Sequence, residues 1–258
     1  MYDHIQPHKC NPPGCFREII RHPSGNNRAI ERATIMEHRF AFVFWMKWNQ
    51  NMKKKGWLQQ KAPTLVTIDW HRDLARPDNE MKNQLKALDT KSLSDAANFV
   101  WARFDQTNDG HIFCAAWLNL IGDIILLKNS AGEMQDSFID IEGNEHQIYE
   151  FRAVERLEKF LQQRDDKNIF FDIDLDYFIH GKGNVFYPDS FEPYKKEEIK
   201  RIIDHKRPIF QYLLPRIDGF TIAQEPSYCG GIANSCRIME VVDRQLFNKL
   251  NNWRHLSD

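Results

Sequence analysis

At 258 residues, with 35 basic and 36 acidic side chains and a formal net charge of −1, the chain has no basic excess to bring it onto nucleic acid. An apolar fraction of 42%, with 18 Phe and 7 Trp, supports a bulky core in one large α/β domain or two small ones. No run is long enough to span a bilayer and Met1-Tyr2-Asp3-His4 does not open a signal peptide, so a cytoplasmic protein without membrane association is expected.

In chain order, residues 1–27 are rich in Pro, Gly, Asn and His and read as an irregular N-terminal arm ahead of a domain over 28–258. His4, His8, Cys10 and Cys15 could hold a zinc ion, although Pro12-Pro13-Gly14 reads equally well as a plain turn. The five cysteines are too scattered for a disulfide framework. A strand over 29–36 leads through Glu37-His38 into a helix over 39–51. Its Phe40, Phe42, Phe44, Trp45 and Trp48 are core residues; Lys53-Lys54-Lys55 is a solvated end. A strand follows over 64–68, and two helical pieces over 80–104 meet at a cap, Ser92 or Ser94, before Asp95.

A helix over 112–121 stopped near Gly122, a strand over 124–127 and a hairpin over 138–151 around Gly143-Asn144 come next. Val154, Leu157, Phe160 and Leu161 recur at helical spacing, predicting an amphipathic helix over 153–163. A second acid-bearing strand over 168–171 is followed by a helix over 195–212, bent or broken at Pro208. A strand over 219–223 and a helix over 235–250 close the chain. Strands alternating with helices predict a mainly parallel sheet covered on both faces, with its ligand site at the carboxyl ends of the strands.

Acids gather at those ends. Ile68-Asp69-Trp70-His71-Arg72-Asp73 and Phe171-Asp172-Ile173-Asp174-Leu175-Asp176 each space them two residues apart, and extended chain turns such residues to one side. Five carboxylates at the ends of apolar strands repel one another and desolvate badly unless a cation compensates them. Oxygen ligands with imidazole suit divalent manganese or a similar metal. The bland reading of each acid alone is a cap or loop residue; two clusters of the same spacing argue against it.

In this pairing the chain resembles the arginase/agmatinase and histone-deacetylase superfamily, whose ureohydrolases carry Asp-x-His-x-Asp and a later Phe-Asp-x-Asp. It looks closest to an arginase-related family with an upstream Asp-His or Glu-His before an apolar helix ending in Trp, an Asp-Ile-Asp-Leu-Asp segment, and a Thr-Ile-Ala strand running into Pro-x-Tyr-Cys-Gly-Gly. Glu37-His38 with Trp45, Asp69 to Leu74, Asp172 to Phe178 and Thr221 to Gly231 stand in that order here.

The resemblance implies a three-layer α/β/α, arginase-like fold and two metal ions, expected to be Mn2+. His38, Asp69, Asp73 and Asp172 would hold one ion, and Asp69, His71, Asp172 and Asp174 the other. Asp176 would be a supporting acceptor. Two such metals ~3.5–4 Å apart bring the pKa of a shared water towards ~7, and the bridging hydroxide would hydrolyse a non-peptide C–N bond in a guanidine, amidine or acyl-amine. Glu225 stands where arginases keep a Glu for the guanidinium, Tyr228 could donate to an oxyanion as a deacetylase Tyr does, and His111 could shuttle a proton. Each also has an ordinary reading, as turn, core or cap. Cys229 beside Gly230-Gly231 reads as a buried thiol in a tight turn.

Departures from the ureohydrolase pattern are the missing Gly-Gly-Asp before His38, the missing Asp-Pro after the second motif and the unrecognisable substrate loop. The substrate is therefore a small molecule or modified side chain of unspecified identity. Two alternatives stay open: a deacetylase-like enzyme with one Zn2+ on Asp69, His71 and Asp172, and a non-catalytic, metal-stabilised binding protein. Oligomeric state is not legible.

Overall fold

The computed structural model describes residues 11–25, 28–58, 61–104, 108–184, 187–247 and 253. Its centre is an eight-stranded sheet. The chain enters through β1 (Cys15–Arg21) and β2 (Ala29–Ile35), then passes a 3-10 turn at His38–Phe40 into α1 (Ala41–Lys54) and β3 (Thr64–Asp69). Helices α2 (Asn79–Ala87), α3 (Leu93–Arg103) and α4 (His111–Trp117) lead to β4 (Ile124–Lys128). The hairpin of β5 (Gln135–Ile139) and β6 (Glu145–Phe151), α5 (Val154–Leu161) and β7 (Ile169–Asp174) follow. After a small hairpin, β8 (Ile179–Asn184) and β9 (Tyr187–Pro193), come α6 (Lys196–Ile202), α7 (Pro208–Leu213), β10 (Ile217–Ala223) and α8 (Ile232–Leu246).

Strand order is β1-β2-β10-β7-β3-β4-β6-β5. The six inner strands run parallel, and β1 and β5 close the two edges antiparallel. One face packs against α1, α3 and α4, through Trp45, Val100 and Ile112 among others. The other packs against α5, α7 and α8, through Leu157, Phe210 and Val242. This is the expected three-layer α/β/α architecture. The central strands β3, β7 and β4 are buried along their whole length, as parallel strands covered on both faces must be. The Phe40–Trp48 aromatics are core, as expected: Trp45 is fully buried and Trp48 nearly so.

Two expectations need correction. The N-terminal arm is not irregular throughout, because residues 15–21 form an edge strand in register with β2 from Cys15–Ile35 to Arg21–Ala29. Phe16-Arg17-Glu18-Ile19-Ile20 has enough β-branched and aromatic character to add to an exposed sheet edge, which composition over 27 residues conceals. The helical stretch expected over 195–212, bent or broken at Pro208, is broken into two helices, with Pro208 opening the second, where its missing N–H costs nothing. The helix over 112–121 also ends earlier, at Trp117, shortly before Asn119 takes a left-handed φ of 53°. His4, His8 and Cys10 lie outside the described residues; Cys15 lies on β1.

Pairing in register fixes which acids share a face. Thr67 of β3 lies level with Asp172 of β7, and Asp172 with Thr221 of β10. One residue beyond the Ile68–Ile173 pair come Asp69 and Asp174, the last residues of their strands. By strand alternation all of these project towards α1, whose leading turn carries His38.

Candidate metal centre

The centre is assembled from the carboxyl ends of β3, β7 and β10, the 3-10 turn before α1, and the loop before α4. Asp69, Asp73, Asp172, Asp174, Asp176 and Glu225 are each less than a tenth exposed, and His38 is fully buried. His38 stands in the middle. Its Nε2 lies 2.8 Å from Asp172 Oδ2. Its Nδ1 lies 3.0 Å from Asp73, 3.2 Å from Asp174 and 3.4 Å from Asp69. Its backbone N–H donates to Glu225, which also accepts from Asn108 Nδ2 at 2.6 Å.

Asp172 is saturated by donors. Thr67 donates to Oδ2 at 2.7 Å and Thr221 donates to Oδ1. With carboxylate oxygens that only accept, Asp172 draws the Nε2 proton of His38 and leaves Nδ1 facing three other carboxylates. Asp176 sits across from it. Its Oδ2 is 2.9 Å from His71 Nδ1, and its Oδ1 accepts the Trp70 backbone N–H at 3.1 Å. His71, about a fifth exposed at its side chain, is the outermost member.

Two candidate ligand groups result, each with its ligand atoms within 4.8 Å of one another: His38, Asp69, Asp73 and Asp174; and Asp69, His71 and Asp176. Asp69 belongs to both. A third group joins His38 and Asp73 to His111. The resemblance implied Asp172 in both ligand sets and Asp176 as a supporting acceptor; the distance groupings take in Asp176 beside Asp69 and His71 and leave Asp172 against His38 Nε2. The cause is register. Asp172 lies a full pleat below the strand end, level with the threonines, while the 3-10 turn Leu175–Phe178 swings Asp176 back towards His71.

The electrostatics show a centre short of positive charge. Burial, and then the charge of Asp69, push the Asp73 carboxyl well above its ordinary range. Burial and the Asp176 charge do the same to Asp174, and burial and Asp174 to Glu225. Burial opposes the His38 imidazolium, yet the surrounding aspartates, Asp172 foremost, hold it well above the usual value. His71, likewise opposed by burial, is raised to about 10, chiefly by Asp176. Asp69 Oδ2 is buried without a hydrogen bond among the described residues, its ion-pair neighbour being His38 Nδ1 at 3.4 Å, which Asp73 and Asp174 share. Several carboxylates gathered on one imidazole leave negative charge buried, which is costly unless a further cation meets it, so the donor set fits divalent metal. Carboxylates with imidazole are the ligands of manganese and related ions, and a histidine whose second N–H is held by a carboxylate is the usual form of a metal-binding histidine.

Backbone strain concentrates here too. Among described non-glycine residues with left-handed φ are Asp73 (49°), Asn108 (59°) and Glu225 (38°), and such residues cluster where a site over-determines them.

The remaining sequence candidates are all near. His111 is fully buried, donates from Nδ1 to the Asn108 carbonyl at 2.9 Å, and stacks on Trp45. Burial and the neighbouring His38 charge drive its pKa well below the ordinary value. The Tyr228 ring lies edge-on to His71 with centroids 5.5 Å apart. It lines, with Trp70, Phe191 and Asp176, a crevice of ≈ 20 Å³, room for about one water. Cys229 is buried, donates to the Gln224 carbonyl at 3.3 Å, and has its thiol pKa raised by burial and nearby acids, as suits a structural thiol. Thr67, Thr221 and Asn108 were missed. The threonines are visible only as inward-facing positions two residues before, or level with, an acid; Asn108 is visible only as a left-handed residue type beside Asp109-Gly110.

Fold and site together define a three-layer α/β/α domain with a buried carboxylate–imidazole centre at the carboxyl ends of its parallel strands. The chain is similar to the crystal structure of Helicobacter pylori arginase, with a TM-score of 0.38 and 12% identity over 81% of this chain and 72% of that one. No family model matches the sequence, and no curated protein matches it. None of the described helices is long and apolar enough to cross a membrane.

Proposed function

We propose that the protein is a metal-dependent hydrolase of a non-peptide C–N bond, with two divalent ions, Mn2+ in our reading. The observation that carries this is the position of Asp69: it belongs to two separate ligand groups, and its buried Oδ2 makes no hydrogen bond among the described residues and shares His38 with Asp73 and Asp174, which suits a carboxylate shared between two cations. His38, Asp69, Asp73 and Asp174 would hold one ion, and Asp69, His71 and Asp176 the other. Bound there, the ions would supply Lewis acidity and lower the pKa of a water between them.

The chain's own residues have distinct tasks in this reading. Asp172, held by Thr67 and Thr221, fixes the His38 ring and its Nε2 proton. Glu225, fixed by Asn108 and the His38 N–H, is placed to hold a proton or a cationic substrate group. Tyr228 lines the crevice that reaches His71 and Asp176 and is placed to donate to a developing oxyanion. His111, neutral and buried, orients the Asn108 loop and is placed to relay a proton from the Asp73 side.

The test is metal content by elemental analysis of the purified protein and of Asp69→Ala, followed by a panel of guanidine, amidine and acyl-amine substrates with and without Mn2+. The reading expects about two ions per chain, loss of at least one in the variant, and metal-dependent turnover of a member of the panel. Full metal content in Asp69→Ala sinks the site assignment. Metal binding without any turnover favours a non-catalytic metal-stabilised protein.

A further inference from the structure

Lys128, the last residue of β4, is a fully buried lysine beside the centre and has no part in the chemistry proposed above. Parallel pairing sets it level with Asp69. Alternation turns both side chains to the α1 face of the sheet, where Leu65, Ile124 and Leu126 also lie. Neighbouring strands are about 4.8 Å apart, so a four-carbon stem can bring the ammonium to the Asp69 carboxylate. Its nitrogen is held elsewhere. It lies 3.2 Å from Glu150 Oε2, 3.0 Å from the Ala131 carbonyl and 3.3 Å from Ser130 Oγ.

Glu150 captures a second cation as well. It stands on β6, level with Leu126 and on the same face, with its side chain 1% exposed. Arg72, between His71 and Asp73, places Nε 2.6 Å and Nη2 2.5 Å from Glu150 Oε1. Each Glu150 oxygen thus takes one cation. The loop after β4 is fastened to the ligand run too, because the Ser130 N–H donates to the Trp70 carbonyl at 3.0 Å. Buried ion pairs are poor stabilisers, and an apolar pair of similar volume is often as good or better. What this pair achieves is positional. Lys128 and Arg72 are drawn towards β6, on the side of β3 away from β7, while Asp69 Oδ2 makes no hydrogen bond among the described residues.

We propose that Glu150 is a positioning residue of the metal centre: it holds the Lys128 ammonium off Asp69, so that a divalent ion and not a lysine meets that carboxylate. Without the Glu150 charge, Lys128 turns to the acid level with it and competes with the ion for the ligand shared by both groups. The inference rests on the reading of the centre as a metal site, whether or not that site is catalytic.

The test is Mn2+ affinity by titration calorimetry on the full chain, with folding checked by circular dichroism. Glu150→Gln should weaken Mn2+ binding at least about tenfold, the usual order for loss of a supporting residue. Lys128→Met, which removes the competitor, should bind Mn2+ at least as tightly as wild type. The protein with both substitutions keeps the wild-type net charge and should return to within about threefold of wild-type affinity. A merely structural ion pair would lower the melting temperature and leave the affinity of the folded protein unchanged. Unchanged affinity in Glu150→Gln, weaker binding in Lys128→Met, or a double variant as weak as Glu150→Gln overturns the proposal. If Glu150→Gln fails to fold, Glu150→Asp decides. It keeps the charge but draws it back by one methylene, so it should lose at least about threefold and regain it with Lys128→Met; no loss overturns the proposal. Wild type that binds no Mn2+ defeats the metal reading and this one with it, whereas Mn2+ binding indifferent to Glu150 defeats this inference alone.

Discussion

His38 and Asp172 face each other through a 2.8 Å contact between Nε2 and Oδ2, with the opposite edge of the imidazole turned to Asp73, Asp174 and Asp69. The contact orients the ring, and its second consequence is a division of labour between two neighbouring aspartates. Asp172→Asn keeps the shape and all the ligands named above, but weakens the hold on the Nε2 proton. Loss of such an orienting carboxylate typically costs about 10–100-fold in metal affinity. Asp174→Asn removes a ligand. In equilibrium Mn2+ titrations, Asp172→Asn should need about 10–100-fold more metal yet reach the wild-type stoichiometry at saturation, while Asp174→Asn should fall short by at least one ion. The reverse pattern would return Asp172 to the ligand set.

Protons and metal compete for this centre. With no cation present, Asp73, Asp174 and Glu225 have carboxyl pKa values raised by burial and by one another, and His38 is held charged by its aspartates. Groups with raised pKa hold their protons to higher pH than free carboxyls do, and a metal must expel the protons they hold. Affinity should therefore rise with pH, by about tenfold per pH unit for each proton displaced. Titration calorimetry at pH 7 in buffers of different protonation enthalpy should show at least one proton released per chain on Mn2+ binding. A heat of binding that is the same in every buffer would contradict the picture.

The layers and the strand-end location of the site were legible because they rest on local signals: apolar runs for the inner strands, helical spacing at Val154 to Leu161, and paired acids after Ile68 and Phe171. The depth of each acid in the second run was not, because alternation tells which acids share a side and says nothing about depth. Asp172 and Asp174 share parity, yet only pairing with Thr67 and Thr221 shows that Asp172 lies below the strand end. Asp176 is legible only after the chain turns at Leu175. Asn108 comes to the centre through tertiary packing, 117 residues from the Glu225 it bonds, and no spacing rule joins the two.

At the far end of the same strands, Asp166 ties the turn before β7 to β3 and α7. Arg164 grips it with two nitrogens at 2.7 Å, and the Thr64 and Tyr212 hydroxyls each donate to it at 2.7 Å. Burial works against the charge, but these donors win and hold the carboxyl below its ordinary value. A folded pKa below the unfolded one means stability that is present above the unfolded value of ~3.9 and lost as pH falls through the folded one. Asp166→Asn should cost about 1.5–3 kcal/mol in urea unfolding at pH 7. The gap from wild type should narrow as pH drops below ~4. A gap that stays constant to pH 3 would mean the carboxylate's charge contributes nothing there.

Gly219 sets how closely α1, and with it His38, can lie on the sheet. A Cβ there would meet the Trp48 ring at 2.2 Å, and Trp48 in turn packs edge-on against Phe170 with centroids 5.5 Å apart. Both aromatics are buried, so the ring has nowhere to retreat. Overpacking of this kind costs about 1–3 kcal/mol, and relief by lifting α1 would carry His38 away from Asp73, Asp172 and Asp174. Gly219→Ala should lower the melting temperature and weaken Mn2+ binding together, and adding Trp48→Leu to it should recover metal affinity more than stability, since the clash goes but a cavity remains. Thermal melts and metal titrations on the two proteins check this; a Gly219→Ala protein with wild-type melting and wild-type affinity would show that α1 does not rest on that strand as described.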